Sequence, residues 1–428
     1  MKTLNTKYMK IKKGLFGFKW MNKALIMSMI LTGCVHSDEL LPPAPEAVKQ
    51  GVKVTILRNL PTRSGIDSQP HVGNGSTTVL SNGYLYFTDL DGNILLCKKI
   101  DKEADVSDVN TISLKQLQTT GAIINDTPEN ANYCYVALNI PAAGFEDKMA
   151  LESGNISSIE KLAVNTNNLY DSNGGINKIP LWGMGGIIES TSESYYAREA
   201  KVNLRTIGSR IEILKISSVP SKEILDEHGK PYEINSFKVA GIFINNFFST
   251  SQLDGLTTPA SQVLNSEKNV FSGTEDTPDT PYRNYLELFT YNNTSTGISH
   301  SVTDAPNVLT PPQQKYAWAY NIFPNDTNGV NTSIYLPHII IRFSQITYRP
   351  QGSLGQGVTL NDQFITIGGY ISGGVELQYL TKGWIYSFSN LSFSLDEISP
   401  DPERKMVKID VEASVIPWFV EQIAPPSV

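Results

Sequence analysis

The sequence is poor in the side chains that most often carry chemistry. Three cysteines and five histidines are spread over 428 residues. That count excludes a disulfide-stapled scaffold. His36, His71, His228, His300 and His338 show no H-x-x-x-H or H-x-H spacing, so no metal centre is expected. No apolar run approaches the roughly 20 residues of a membrane-spanning helix. Basic residues are not in excess either. Lys and Arg number 35 against 42 Asp and Glu, a formal charge of −7, which argues against nucleic acid as a partner. Amphipathic helical periodicity over four or more turns is absent. What remains, 40 % apolar and 18 % charged residues, is the balance of a folded globular chain.

The N-terminus has a character of its own. Residues 1–33 carry Lys2, Lys7, Lys10, Lys12, Lys13, Lys19 and Lys23 with no acidic residue. A short apolar run from Ala24 to Leu31 follows, and then Leu31-Thr32-Gly33-Cys34. A basic stretch, a short apolar stretch and small residues before a cut describe a secretory signal over 1–33. The cysteine placed directly after Leu-Thr-Gly resembles a bacterial lipobox, which makes Cys34 the expected lipidation site. Residues 34–50, polar and Pro-rich, read as a tether. Without the seven lysines, 28 basic residues face 42 acidic ones, a net charge of −14. The expectation is an acidic, exported, membrane-tethered protein.

Beyond the tether the chain reads as all-β. Short alternating segments recur between Gly, Asn, Asp and Pro. Val52–Leu57 alternates with Val52, Val54 and Ile56 on one face. Tyr84–Cys97 reads as a hairpin turning at Asp91-Gly92. Tyr133–Ile140 is a strand, and Lys201–Ile216 is one long strand or two broken at Gly208. Later strands are expected at 237–246, 316–322, 333–347, 364–371 and 383–396. The strictest alternation is Met406–Ile416, with Val407, Ile409, Val411, Ala413 and Val415 facing one way. Helices are short, at 113–118, 156–164 and 252–264. A Pro/Gly-bearing stretch at 217–234 is the expected boundary between two β-sandwich domains, 51–218 and 235–428.

Few residues point to chemistry. Cys97 and Cys134 lie in two strands of the first half, where an exported location permits a disulfide. Asp89-Leu-Asp-Gly-Asn93 has the flavour of a calcium loop, but it lacks the closing Glu and reads better as a hairpin turn. Gly73-Asn-Gly-Ser76 lacks the lysine of a phosphate loop. Gly183-Met-Gly-Gly186 reads as a flexible turn. No cofactor, metal or catalytic residue is expected, and an enzyme is disfavoured.

Ile179-Pro-Leu-Trp-Gly-Met184, Val202-Asn-Leu-x-Arg205 with Arg210-Ile-Glu-Ile213, Ala240–Asn246, Gly383–Phe393, Val407–Val415 and Pro417-Trp418 follow the lipobox in order. Together they resemble the fimbrillin family, the type V pilins of Bacteroidales-type bacteria. The resemblance implies two transthyretin-like β-sandwich domains in tandem. It also implies a palmitate-type lipid anchor in the outer membrane, a cut after an Arg by a trypsin-like surface protease, and departure of the first strand. Other pilin subunits are then the partners. Donor-strand exchange builds a cell-surface fimbria that supports cell adhesion. On this sequence, residues 51–63 hold the displaced strand (Val52, Val54, Ile56) and the cleavage loop. Arg63 of Asn59-Leu-Pro-Thr-Arg-Ser-Gly65 is the first candidate for the cut and Arg58 the second. Residues 406–428 hold the donor strand, with Val407, Ile409, Val411, Val415 and Trp418. The competing reading is a lipoprotein that never polymerises and binds glycan or protein, with Trp182, Trp318, Trp384 and Trp418 available for stacking on sugars.

Overall fold

A computed structural model describes residues 51–57, 77–78, 80–104, 111–141, 144–169, 179–191, 196–271, 286–288, 298–300, 308–311, 317–325, 332–372, 374–410, 413–417 and 419–420. The signal 1–33, Cys34, the tether 34–50, Arg58, Arg63, Val411 and Trp418 lie outside the described residues. The fold is all-β with a few short helices.

The first part of the chain contributes β1 (Val52–Leu57), β2 (Gly83–Thr88), β3 (Ile94–Asp101), β4 (Thr111–Ser113), helix α1 (Leu114–Thr119), β5 (Ala122–Ile124), β6 (Tyr133–Leu138), β7 (Leu181–Glu189) and β8 (Arg198–Thr206). The strands form one sheet in the order β4-β3-β2-β6-β7-β8-β1-β5. Period-two alternation gives each strand two faces. Val52, Val54, Ile56, Leu85, Phe87, Ala122, Cys134, Val136, Ala200 and Val202 enter one buried cluster, closed by Leu114 and Leu117 of α1. A sheet whose strands all feed one cluster has to curl over it. Tyr86, Tyr135, Ala137 and Trp182 leave by the opposite face.

The expected turn at Gly183–Gly186 is instead part of β7. A Cβ on Gly183 would stand 2.4 Å from the Asn203 carbonyl oxygen, and one on Gly185 would stand 2.3 Å from that of Lys201. The glycines let β7 lie close against β8, which is a packing role rather than a hinge.

The later strands are β9 (Ser209–Ile213), β10 (Ile216–Ser218), β11 (Tyr232–Asn245), β12 (Val308–Leu309), β13 (Trp318–Ile322), β14 (His338–Pro350), β15 (Val358–Ser372), β16 (Trp384–Phe388), β17 (Leu391–Phe393), β18 (Met406–Asp410) and β19 (Ala413–Pro417). One layer holds β13-β9-β16-β19 and its neighbour β12-β10-β17. The facing layer is built on β11-β14-β15, with β18 beside β15. Ile211, Ile213, Phe237, Phe243, Trp318, Ile340, Phe364, Tyr370, Phe388 and Phe393 fill the space between them. The segment 406–416 is therefore two strands rather than one. β18 runs parallel to β15 and β19 antiparallel to β16, in opposite layers.

The change of sheet occurs at Ile207-Gly208, ahead of the stretch 217–234 expected as the boundary. β9 and β10 pair with strands from 308–417, so 209–218 goes with the later layers. The expected helix at 252–264 is a strand, Thr250–Gln252, followed by a 3-10 turn at Pro259–Ser261. That strand pairs with Ala163–Asn165 of the first half. Phe248, Leu253, Phe323 and Ile385 pack with Tyr86, Trp182 and Ile207 across the junction. At the same junction Arg210 Nε donates to Glu212 Oε1 at 2.7 Å, and Asn321 Nδ2 donates to the Leu169 carbonyl at 2.9 Å. Arg210 and Glu212 are each 1 % exposed.

Arg210→Ala is expected to lower the unfolding free energy by about 3–5 kcal/mol, since it leaves a buried carboxylate uncompensated. Urea titration checks it, with the double change Arg210→Met/Glu212→Leu recovering most of the loss. A second prediction concerns pH. Asp396 accepts from the Lys222 amide at 2.6 Å, the Ile224 amide at 3.1 Å and the Ser221 hydroxyl. Burial pushes its carboxyl up, but the hydrogen bonds from Ser221, Lys222 and Glu223 outweigh burial and hold it below the ordinary 3.8. A folded-state value below that of the unfolded chain contributes stability above the ordinary carboxylate range, and the contribution is lost as pH falls through the folded value. Below about pH 4, the wild-type melting temperature is therefore expected to fall more steeply than that of Asp396→Asn.

Candidate functional site

β1 is short and is held on two sides by different means. Along β8 it runs parallel for its full length, Val52 opposite Arg198, Val54 opposite Ala200 and Ile56 opposite Val202. Along β5 it is antiparallel and covered only from Val52 to Val54. β5 stops there because Gly121, at φ +82°, turns the chain back to α1, and a Cβ on it would stand 2.6 Å from the Lys53 side chain. Val52 and Val54 are fully buried and Ile56 is 4 % exposed, whereas Leu57 is 41 % exposed. At ~1.5–3 kcal/mol for each buried branched side chain, the three inward residues contribute roughly 5–9 kcal/mol.

The far end of β1 is anchored by backbone and charge. The Arg198 amide donates to the Gly51 carbonyl at 3.3 Å. The Arg198 guanidinium donates to the carbonyls of Pro128, Glu129 and Ala131 at 2.8–3.1 Å, which holds that loop beside the strand. On the outward face Lys53 Nζ stands 5.1 Å from the centre of the Tyr196 ring. Without β1, the sheet would keep an apolar slot between β8 and β5, with Ala122 and Ala200 flanking the middle position.

The structure places the other expected residues as follows. Thr77–Thr78, the first described residues after β1, pair in parallel with Phe419–Val420, within the segment 406–428 expected as the donor. Val407 is partly buried against the core of the later layers. Lys408 Nζ is 2.8 Å from Glu376 Oε1. Val415 is opposite Tyr386, and Ile409 opposite Tyr370.

The disulfide considered for Cys97 and Cys134 does not form, and both thiols are free. Cys97 is opposite Tyr86 and Cys134 opposite Phe87 on the same strand β2, so they face opposite sides of the sheet. Burial pushes the Cys97 thiol up to about 12 and raises Cys134 as well, which leaves neither as a thiolate near neutral pH. The Asp89 carboxylate accepts from the Asn93 side chain and from the amides of Asp91 and Asn93. These bonds, the Asn93 side chain first, hold its carboxyl below the usual range. The loop is thus a closed hairpin turn. Among the described residues no group of three His, Cys, Asp or Glu is placed to hold a metal. No helix among them is long and apolar enough to cross a membrane. Trp182 and Trp318 are buried and Trp384 packs against the core, so none of these three offers a free face for a sugar.

No protein-family model matches the chain, and no curated protein matches it in sequence. Among solved structures it is similar to a provisionally assigned cell adhesion protein from Parabacteroides distasonis, with 12 % identity over 87 % of this chain and 98 % of that one, at a TM-score of 0.46. It is similar to a fimbrilin from Porphyromonas gingivalis, with 11 % identity over 86 % and 98 % of the two chains, at a TM-score of 0.42. It is also similar to the C-terminally truncated tip fimbrial protein of Porphyromonas gingivalis, with 11 % identity over 81 % and 96 %, at a TM-score of 0.35.

The burial pattern predicts unequal effects along β1. Ile56→Ala is expected to cost about 2–4 kcal/mol of unfolding free energy. Leu57→Ala, at the exposed end, should stay within about 0.5 kcal/mol. Denaturant unfolding of the two variants measures the contrast, and equal losses would contradict the assigned facing.

Proposed function

We propose that the chain is a structural pilin subunit of a cell-surface fimbria, built as two transthyretin-like β-sandwich domains in tandem. Cys34 carries the lipid that tethers the precursor to the outer membrane. A trypsin-like surface protease cuts after Arg63, or after Arg58, and β1 then leaves. The slot between β8 and β5 receives a strand from the 406–428 segment of another subunit, by β-strand addition. The reading makes the protein a polymerising scaffold that supports adhesion, with no catalytic site.

The observation that carries it is the construction of β1. The strand supplies three buried apolar residues, yet it joins the rest of the fold only through residues 58–76, which contain both arginines. A strand cut free there would be held by pairing and burial alone. Its removal would expose an apolar slot that only another extended, alternating segment can fill. The strictly alternating segment 406–416 has the matching pattern. The core positions of Trp182, Trp318 and Trp384 weigh against the sugar-binding alternative.

The test is limited trypsin treatment of the purified precursor. The expected result is a mature N-terminus at Ser64, loss of the 51–63 peptide, and a ladder of multimers on unboiled gels. A monomer that keeps residues 51–63 after cleavage, or fibres whose subunits begin at Cys34, would overturn the proposal.

A further inference from the structure

One end of the first sheet carries a cavity of 370 Å³ that strand exchange does not use. It lies where β2 begins and where β3 and β6 end, beside the one-turn helix Glu146–Met149. Its volume falls at the lower end of the roughly 300–1,000 Å³ of small-ligand sites. We propose that this cavity binds the terminal pyranose ring of an uncharged saccharide, against the Tyr84 ring and with Asn82, Asp101 and Glu146 as hydrogen-bonding groups. The site uses a tyrosine and none of the tryptophans. It is independent of strand exchange and supplies adhesion with a ligand chemistry.

The walls are held in place before any ligand arrives. Tyr84 stacks on Tyr86, with ring centroids 6.4 Å apart and planes 22° from parallel. Tyr86 is fully buried, and its hydroxyl donates to the Met149 carbonyl at 2.6 Å. The Tyr84 hydroxyl has no hydrogen-bond partner among the described residues. Burial, then the charge of Glu146, pushes it above its ordinary 10, so it remains a donor at neutral pH. Asn82 is fixed from two sides. Its Oδ1 accepts from the Lys102 amide at 3.0 Å, and its carbonyl accepts from the Asn139 amide at 3.1 Å. Asn139 is buried and also takes the Ser81 amide at 2.7 Å and the Ser81 hydroxyl at 2.9 Å. The Asn82 side-chain nitrogen is left without a partner among the described residues. A rim ordered in advance spares a ligand the cost of ordering it.

A pyranose ring has a face of C–H bonds and an edge of hydroxyls that both donate and accept. The cavity matches both. Tyr84, Ile140 and Pro141 supply apolar surface, and Lys99 stands opposite Tyr84 on β3. The Asn82 amide and the Tyr84 hydroxyl donate, and the carboxylates of Asp101 and Glu146 accept. Asp101 is itself anchored, since its Oδ1 takes the Glu103 amide at 2.9 Å. Charge narrows the choice further. Lys99 and Lys102 are outnumbered by Asp101, Glu103 and Glu146, so a phosphate or an acidic sugar meets net repulsion. A purely apolar ligand would cover these groups without pairing them, which is costly.

The test is ligand-observed saturation-transfer NMR on the full chain. The probes are the methyl glycosides of glucose, galactose, mannose and N-acetylglucosamine, with lactose alongside. At least one probe should bind in the millimolar range, with saturation strongest at the protons of its apolar face. Tyr84→Phe should weaken binding several-fold, and Tyr84→Ala should abolish it. Glu146→Gln, at an exposed position, should also weaken it several-fold without changing thermal unfolding. Tighter binding of lactose than of methyl galactoside assigns the cavity to the end of a glycan, and equal binding assigns it to a free sugar. Failure of every probe, binding that survives in folded Tyr84→Ala, or binding of sialyllactose or tri-alanine in their place would overturn the proposal. None of these outcomes bears on cleavage or multimer ladders, so the site and strand exchange stand or fall separately.

Discussion

The fold depends on one stretch of chain serving two sheets. Arg198–Thr206 is the full-length partner of β1, and two residues later Ser209–Ile213 lies between β13 and β16 in a different layer. The break at Ile207-Gly208 ties the strand that holds β1 to the strand that starts the later core. Around the break Trp182, Phe248, Phe323 and Ile385 pack together, and the Arg210–Glu212 pair is enclosed. Interfaces between domains are commonly polar and loosely held. This one has a buried apolar cluster and is stitched by the strand pair 163–165 with 250–252.

The alternation of single strands was legible in the sequence, because it is local and needs only a period of two. Val52–Leu57 folds with Val52, Val54 and Ile56 on one face, and Tyr133–Leu138 forms the expected strand, with Cys134 and Val136 on one face and Tyr135 and Ala137 on the other. Sheet membership was not legible, because it is decided by partners far away in sequence. The strand at 209–213 looks no different from that at 198–206, yet it pairs with 318–322 and 384–388. Gly183 and Gly185 were misread as a turn for the same reason. Glycine in a strand signals close approach only once the neighbouring backbone is known.

The candidate site divides in the same way. The inward set Val52, Val54 and Ile56 was visible as a pattern. Its flanks were not. Ala122–Ile124 is too short to stand out, and Ala200 is an unremarked small residue in a charged stretch. The cysteines show what register decides. Two thiols in strands of one sheet look like a bridge until Tyr86 and Phe87, on the strand between them, assign them to opposite faces.

The split of the C-terminal segment between layers also has a mechanical meaning. β19 lies antiparallel to β16 over five residue pairs, from Phe388 with Ala413 to Trp384 with Pro417. A pull applied along Ala413–Pro417 loads those pairs in shear, so all five resist at once rather than opening one after another. Ahead of them β18 grips the opposite layer. Tension along Ala413–Pro417 would thus be carried into both layers of the core.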